Sequence, residues 1–315
     1  MSIPLRLDAC LAKIETTYRT DPTPTAGTDG VRVAERLWPS ITPSYAWENL
    51  REDVATGTLL GATPAIPRGR RVSLEIPWEC RGAGSDAVVE ADPLIRACGW
   101  AQTDGSSLFS YAQASNLHES CTIWAYAAGL LFKVVGCRGT LRWRVMPGQI
   151  SVKRFSMQGI MTTDPAAIAV PAVTYDSTEP LAGVSIACTV GSWTPKIISA
   201  EFIQNADVQQ LDDANDAQGI GEFGIGAVNH QFLLSARVPR DAGGIWDSAT
   251  YNPYADSLAR TARAIVMTVG GSQFNRLKLL NASGYVAMPG PIDNNRFSAW
   301  DLRYGIPAGA TIQSD

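Results

Sequence analysis

Histidine is scarce in this sequence, and the two that occur, His118 and His230, have no cluster of Cys, His, Asp or Glu beside them. A zinc site draws on several such ligands, so we do not expect one. A G-x-S-x-G segment is also lacking, which argues against a serine nucleophile on the elbow that this motif forms. His118 in SNLHES is interpreted as a loop histidine. The sequence therefore predicts no catalytic residue, no cofactor and no metal site.

Charge and long apolar runs are limited as well. Acids number 30 against 26 bases, and the net charge of −4 does not suit a surface built to hold phosphates. The longest apolar run, 121–135, is interrupted by Gly129 and Lys133 and is too short to span a bilayer. The N-terminal segment MSIPLRLDACLAKIE carries Arg6 and Asp8, so no signal peptide is expected. The six cysteines form no C-x-x-C pair, which predicts reduced side chains packed as small apolar residues.

What the sequence does contain is a repeat. MPGQISVKRFS at 146–156 and MPGPIDNNRFS at 288–298 share seven of eleven residues, and the match extends back without a gap to 123 and 265. Self-similarity at a constant offset indicates a duplicated structural unit. We expect one domain over 1–165, a Thr/Pro/Ala-rich linker over 166–182 and a second domain over 183–315. Phe155 and Phe297 are predicted to lie in corresponding cores.

Alternation of apolar and polar residues indicates a mainly β fold. Residues 71–78 and LRWRV at 141–145 place large apolar side chains on one face and charged ones on the other. Gly129 and the pair Gly270–Gly271 sit between apolar runs and predict hairpins. Helices are predicted only in DPLIRACG at 92–99 and PYADSLARTARA at 253–264, whereas the segment 1–18 fits a helix or a strand. Each half is expected to be a β-sandwich or barrel with one flanking helix.

Two long insertions occupy comparable places in the halves. VAERL at 33–37 resembles SAEFI at 199–203, and RRVSLEI at 70–76 resembles HQFLLSA at 230–236. Between these matches lie 38–69 and 204–229, and connections this long are usually functional or disordered. Within the second insertion GIGEFG matches a dinucleotide fingerprint but lacks the preceding strand, so it is interpreted as a flexible glycine loop. DDANDAQG lacks the later oxygen ligands of a calcium loop.

Four segments in the first half carry a family resemblance: AKIETTYRTDPTPT at 12–25, PRGRRVSLEI at 67–76, DPLIRACGW at 92–100 and the stretch from CRGTLRWRV to RFSMQGI. They resemble the tail tube, or major tail, proteins of long, non-contractile-tailed bacteriophages. The resemblance implies a tail-tube-type β domain that joins its neighbours in a ring of six, with rings stacked into a hollow tube. Three two-domain chains would then complete one ring.

The resemblance also implies where the protein acts and what it contacts. The partners are other copies of the chain and the tape measure, terminator and distal tail proteins, with assembly in the bacterial host cytoplasm, a place in the virion tail and no membrane. A long loop contacts the adjacent ring, which makes both insertions candidates for ring stacking and subunit contact. Their candidate residues are the tryptophans Trp38 and Trp47, the arginines Arg51 and Arg68, and the acids Asp212, Asp213 and Asp216.

Double-stranded DNA passes through such a tube during ejection. A basic channel wall would retain it by counterion release, so we expect a neutral to acidic wall and no tight DNA binding. The arginines of the repeat region are then expected at subunit contacts; they are Arg138, Arg142, Arg144 and Arg154.

Other interpretations stay open at this point. Nine tryptophans and an acidic loop also suit a β-rich carbohydrate-binding protein or glycosidase, although Trp78, Trp124 and Trp143 lie in predicted strands, where a packed core explains them better. Among structural proteins, a tail terminator or the tube of a contractile tail fits as well.

Overall fold

The computed structural model describes residues 8–49, 66–105, 108–307 and 309–314, without the side chains of 46–49, 66 and 67. The fold is mainly β with two short helices, as predicted. In these ranges no helix is long and apolar enough to cross a membrane.

The first half alternates strands with a single helix. Within the ambiguous segment 1–18, Ala9–Ile14 forms a strand, and residues 1–7 lie outside the described residues. The elements are β1 (Ala9–Ile14), β2 (Gly30–Val31), a 3₁₀ helix (Trp38–Ser40), β3 (Ile41–Asn49), β4 (Ile66–Glu79), α1 (Asp92–Ala97), β5 (Trp100–Asp104), β6 (Phe109–Gln113), β7 (Cys121–Ala127), β8 (Leu130–Val145), β9 (Val152–Met161) and β10 (Ala166–Ala167).

The second half follows a similar scheme, but it has a further hairpin before its helix and no hairpin between its helix and the following strand. Its elements are β11 (Ala187–Val190), β12 (Ile197–Ile203), β13 (Ala206–Asp212), β14 (Ile220–Val228), β15 (His230–Arg237), α2 (Pro253–Ala259), β16 (Ala262–Ser272), β17 (Asn275–Val286), β18 (Gly290–Asn294), β19 (Phe297–Ile306) and β20 (Thr311–Ser314). Both helices lie where Pro at the first turn predicted them.

Strand pairing repeats between the halves. The antiparallel order β1–β7–β8–β9–β4–β3 in the first half matches β11–β16–β17–β19–β15–β12 in the second. The predicted hairpins β7–β8 and β16–β17 occupy equivalent places, and so do β4 and β15, which carry the matched segments RRVSLEI and HQFLLSA. VAERL, however, lies before β3 and not in it, so that match with SAEFI in β12 is displaced by several residues.

The two copies of the repeated eleven-residue segment turn at different positions. In the first copy Met146–Gln149 forms the turn between β8 and β9, with Gly148 at a φ of 75°. In the second copy MPG runs on into β18, and the chain turns later, at Asn295 and Arg296, whose φ angles are 52° and 67°. Phe155 is fully buried in β9, as predicted, but Phe297 directly follows the late turn and is 54% exposed. The prediction of a buried Phe297 is therefore wrong.

The two halves share one sheet. Strand β12 of the second half pairs with the end of β8, with Ala200 opposite Val145 and Ile203 opposite Arg142. Strand β20 joins β17 to β6 of the first half. Buried residues from both halves belong to one contiguous cluster, and all six cysteines are buried within it. The domain boundaries stay a prediction, but the two cores are continuous.

The predicted linker is held against the first half. Thr174 N–H donates to the Ala26 carbonyl, the Asp176 N–H donates to Glu90, and Leu181 N–H donates to the Cys80 carbonyl. These bonds satisfy the backbone along an otherwise extended segment. The segment after β10 is therefore bound along its length to the surface of the first half.

Candidate assembly surfaces

One candidate surface is the polar face of the sheet that joins the halves. Alternation along β4 and β8 is as predicted: Leu74 and Trp143 point into the core, whereas Glu75 and Arg142 point to solvent. Cross-strand register places the outward side chains of six strands on the same face. This polar face comprises Arg71, Ser73 and Glu75 of β4, Arg154 and Ser156 of β9, Arg142 and Arg144 of β8, Glu201 of β12, Leu233 and Ser235 of β15, and Asp301 and Arg303 of β19.

Three of the four arginines that were expected at subunit contacts pair within their own chain. Arg142 Nη2 lies 3.1 Å from Glu201 Oε1 across the β8–β12 junction. Arg138 Nη1 lies 3.0 Å from Glu222 Oε2, and Arg154 forms an ion pair with Glu35. Arg144 is exposed and makes no ion pair with the described residues. Each of the other three arginines is paired with a carboxylate of its own chain.

Two strand edges are the second candidate surface. Within the described ranges β3 pairs only with β4, and β18 pairs only with β19. Each therefore presents a row of backbone donors and acceptors along its other side. Such edges are usually blocked or used for pairing, because an unpaired strand is a template for another chain.

The pairing between the halves shows which kind of strand each of these two edges can pair with. β12 is the equivalent of β3, and it pairs with the end of β8 on the side where β7 has already ended. Strand β17 is the equivalent of β8, and β18 continues in line with β17 along β19. The open side of β18 is the side on which β16 pairs with β17. The open sides of β3 and β18 are thus the same two kinds of edge that already meet between the halves.

The predicted contact residues of the first insertion are only partly described. Trp38 is 43% exposed, and its ring centroid lies 6.3 Å from that of Phe132. Trp47 lies on the edge strand β3, opposite the exposed Arg68 of β4 in the ladder. Arg51 lies outside the described residues. The insertion therefore contributes an edge strand and not only a loop.

The second insertion is also ordered. It forms the hairpin β13–β14, in which GIGEFG belongs largely to strand β14, so the prediction of a flexible glycine loop is wrong. We call 206–228 the acidic hairpin. Its inner side buries Ile220 and Phe223 against Val135 and Ile160 of the first half. Apolar packing across the two halves is the reason that this long connection has a fixed structure.

Asp216 forms an ion pair within its own chain. Arg19 Nη1 donates to its Oδ2 at 2.6 Å and also to the Ile220 carbonyl at 2.8 Å. Although burial opposes ionisation, the hydrogen bonds from Arg19 and from the Gln218 N–H lower the pKa of Asp216 below its ordinary value. Asp216 is thus paired within its own chain, while Asp212 and Asp213 are exposed, and the intermolecular role of all three stays a prediction.

Arg19 owes its position to a buried carboxylate. The Glu15 side chain accepts hydrogen bonds from Ser120 Oγ at 2.6 Å, Thr122 Oγ1 at 2.7 Å, the Gly136 N–H at 2.7 Å and the Arg19 N–H at 2.8 Å. Four donors compensate the loss of water around a buried charge. Neither Glu15 nor Arg19 was singled out from the sequence, because their partners lie more than a hundred residues away.

Lys153 is a second buried charge, and it lacks such compensation. Its side chain is fully buried in β9, and its Nζ has no hydrogen-bond partner among the residues that the structure describes. The Nζ lies 4.7 Å from the ring centroid of Trp143 and 5.5 Å from that of Trp78. Burial lowers the pKa of Lys153 to about 8. Its position two residues before Phe155, on the same strand face, was the signal available in the sequence.

The surroundings of the acidic hairpin bear on the carbohydrate interpretation. The two grooves beside it, lined by Leu211, Glu222 and Ile225 and by Ala206, Asp207 and Val208 among others, contain no tryptophan. Trp78, Trp100 and Trp143 are buried in the core. Within the described ranges, no group of three or more His, Cys, Asp or Glu could hold a metal ion.

Comparison with known proteins adds no assignment. No protein-family model matches the chain. No curated protein matches it either.

Proposed function

We propose that this protein is a structural subunit whose copies join through their sheet edges into rings, and that stacked rings form the hollow tail tube of a long-tailed, non-contractile bacteriophage. The observation that carries the proposal is the junction between the halves. A β3-type strand meets a β8-type strand inside the chain, and one edge of each kind is unpaired in the ranges that the structure describes.

Such a junction is heterologous, because two different edges meet. Repetition of a heterologous contact produces a ring if the rotation closes and an open filament if it does not. Each chain already contains one junction and two equivalent units, so three chains would supply the six positions of the ring that the family resemblance implies. Closure would pair β18 of each copy with β3 of the next and leave none of these edges open.

The polar face supports a channel wall on the inside of this ring. It runs across both halves without interruption, while the opposite face of the same strands is the core. Two of its five arginines are paired within the chain, Arg142 with Glu201 and Arg154 with Glu35, and this wall would hold three of the arginines that the sequence placed at subunit contacts. Paired arginines offer a passing duplex fewer counterion-releasing contacts than free ones. Passage of DNA without tight binding is part of the proposal.

Proline substitution on β3 tests ring closure. In an antiparallel ladder, successive residues direct their N–H groups to opposite sides of the strand. Of Ser44→Pro and Tyr45→Pro, one therefore removes an N–H that bonds β4 and the other removes an N–H on the open edge. We expect the open-edge variant to stay folded, by circular dichroism and thermal unfolding, but to lose rings in negative-stain images and in analytical ultracentrifugation.

The two variants serve as each other's control. The variant that loses a β4 bond should melt at a lower temperature, while the open-edge variant should melt close to the wild-type subunit. Rings and tubes that persist in both folded variants would contradict pairing through β3. A wild-type protein that remains monomeric at high concentration would contradict the assembly function itself.

A further inference from the structure

A basic groove lies at one end of the strand pair β12–β15. Its volume is about 560 Å³, and it is lined by Lys196, Arg237 and Arg240. No carboxylate lines it, and none of these three cations forms an ion pair with the described residues. Three uncompensated cations in one concave site are unusual on a chain whose net charge is −4.

The groove also has an apolar side. The exposed ring of Phe297 lines it, with the Arg237 guanidinium carbon 5.7 Å from the ring centroid. Arg240 Nη2 donates to Ser298 Oγ at 3.4 Å, which holds one cation beside this ring. Phe297 is therefore exposed at a place where its ring lines a groove. An exposed phenyl ring beside cations suits a ligand that is both apolar and anionic.

A segment of that character is exposed on the acidic hairpin. Leu211 is 45% exposed, and Asp212 and Asp213 follow it at the solvent-facing end of β13. The only side-chain hydrogen bonds to these two carboxylates in the described part of the chain come from the neighbouring Gln210 and Asn215. Unlike Asp216, they form no ion pair with a cation among the residues that the structure describes.

The groove and this segment lie at opposite ends of the same strands. Lys196 precedes β12 and Arg237 ends β15, whereas the hairpin leaves from the other ends of both strands and continues along β8, where the Ala206 N–H donates to Thr140 Oγ1. Seven residues of β12 span roughly 20 Å at about 3.3 Å per residue. The two surfaces cannot meet within one chain, but copies aligned along the strand direction bring them together.

We propose that the basic groove receives Leu211, Asp212 and Asp213 of a second copy. Leu211 would pack against Phe297, and the two carboxylates would lie among the three cations. The contact is head to tail, so its repetition gives a directional stack and not a closed pair. The inference rests on the proposed tube, in which it supplies the contact between rings, and it is independent of the edge pairing within a ring.

Charge reversal on each side, alone and together, tests this contact. One variant carries Arg237→Glu and Arg240→Glu, a second carries Asp212→Lys and Asp213→Lys, and a third carries all four substitutions. Rings and tubes are counted by electron microscopy at low and at physiological salt. Each double variant should form rings but lose tubes, and the fourfold variant should regain tubes because the charges are complementary again.

Matched controls separate charge from position. Arg36→Glu with Arg260→Glu makes the same charge change at exposed arginines that do not line the groove, and Asp207→Lys changes the base of the hairpin; both should leave tubes unchanged. Tubes of normal length from either double variant, or a fourfold variant that forms rings without tubes, would overturn the inference. Loss of rings in the wild type would instead refute the proposed function, so the two failures are distinguishable.

Discussion

Replacing Lys153 with methionine should stabilise the subunit at neutral pH. Methionine keeps the length of the side chain beside Trp78 and Trp143 and removes a buried ammonium that has no hydrogen-bond acceptor. The pKa falls from the ordinary value of 10.5 to about 8 on folding. At 1.36 kcal/mol for each pH unit, the buried charge costs about 3 kcal/mol below pH 8.

This cost is net of any attraction between the ammonium and the two tryptophan rings, because the folded-state pKa already contains that attraction. We therefore expect Lys153→Met to raise the free energy of unfolding at pH 7 by about 3 kcal/mol. The cost is present only while the folded-state amine is charged. Because the pKa is lowered, the folded chain binds fewer protons than the unfolded chain between about pH 8 and pH 10.5, and wild-type stability rises through that window.

Urea unfolding of the unassembled subunit, from pH 7 to pH 10, measures the free energy of unfolding of the wild type and of Lys153→Met. Other titrating groups affect both equally, so the difference between the two curves reports Lys153 alone. The advantage of the variant should shrink by about 2 kcal/mol across this range. A variant that is less stable than wild type at pH 7, or a difference that does not change with pH, would refute the account of Lys153.

Further outcomes follow from other contacts. Phe155→Ala should cost about 3–5 kcal/mol of unfolding free energy, and Phe297→Ala less than about 1 kcal/mol, by the same urea assay, because only Phe155 is buried; equal losses would contradict the different burial of the two copies. Arg19→Ala should loosen the acidic hairpin, seen as faster hydrogen exchange over 206–228 with unchanged exchange in β16 and β17. Burial lowers the pKa of His230 to about 4, so wild-type stability should fall as pH drops from 6.5 to 4, and His230→Gln should lose this dependence. Assembled tubes should show no salt-sensitive retention of double-stranded DNA in a filter-binding assay, whereas tight binding that weakens steeply with salt would contradict the proposed channel.

Features set by neighbouring residues could be predicted from the sequence. The alternation in β4 and β8, the glycine-marked hairpins and the two Pro-initiated helices all depend on periods or turns of a few residues. The groove and the ion pair between Arg19 and Asp216 could not be predicted in this way. Their members are brought together by the β8–β12 junction and by the packing of the acidic hairpin, and no local pattern specifies which distant edges pair.

The repeated segment shows how a good sequence match can still mislead. At the constant offset, Asn295 and Arg296 correspond to Lys153 and Arg154, which lie inside β9. Asparagine tolerates a positive φ far better than most residues, and two such positions in sequence form a tight hairpin turn. Identity at Met, Pro, Gly, Phe and Ser therefore did not decide the local structure. The turn falls at Asn295, which replaces Lys153, and at Arg296, which matches Arg154, and the later turn gives Phe297 a different environment from Phe155.

Duplication has a thermodynamic consequence for the proposed ring. Each association between separate chains costs several kcal/mol of translational and rotational freedom, about 4–15 kcal/mol before contacts are counted. Fusing two units makes half of the junctions intramolecular, and in this chain the β8–β12 pairing is reinforced by a shared core and by the bound linker. Only the β18–β3 junctions must then form between molecules.

Fusion also allows the halves to differ, so the acidic hairpin and the basic groove can occur once per chain, on one unit only. A stack built from such chains has three groove contacts per ring instead of six. Each groove contact must therefore be stronger to give the same tube stability. A groove with three cations and an exposed aromatic ring fits this requirement.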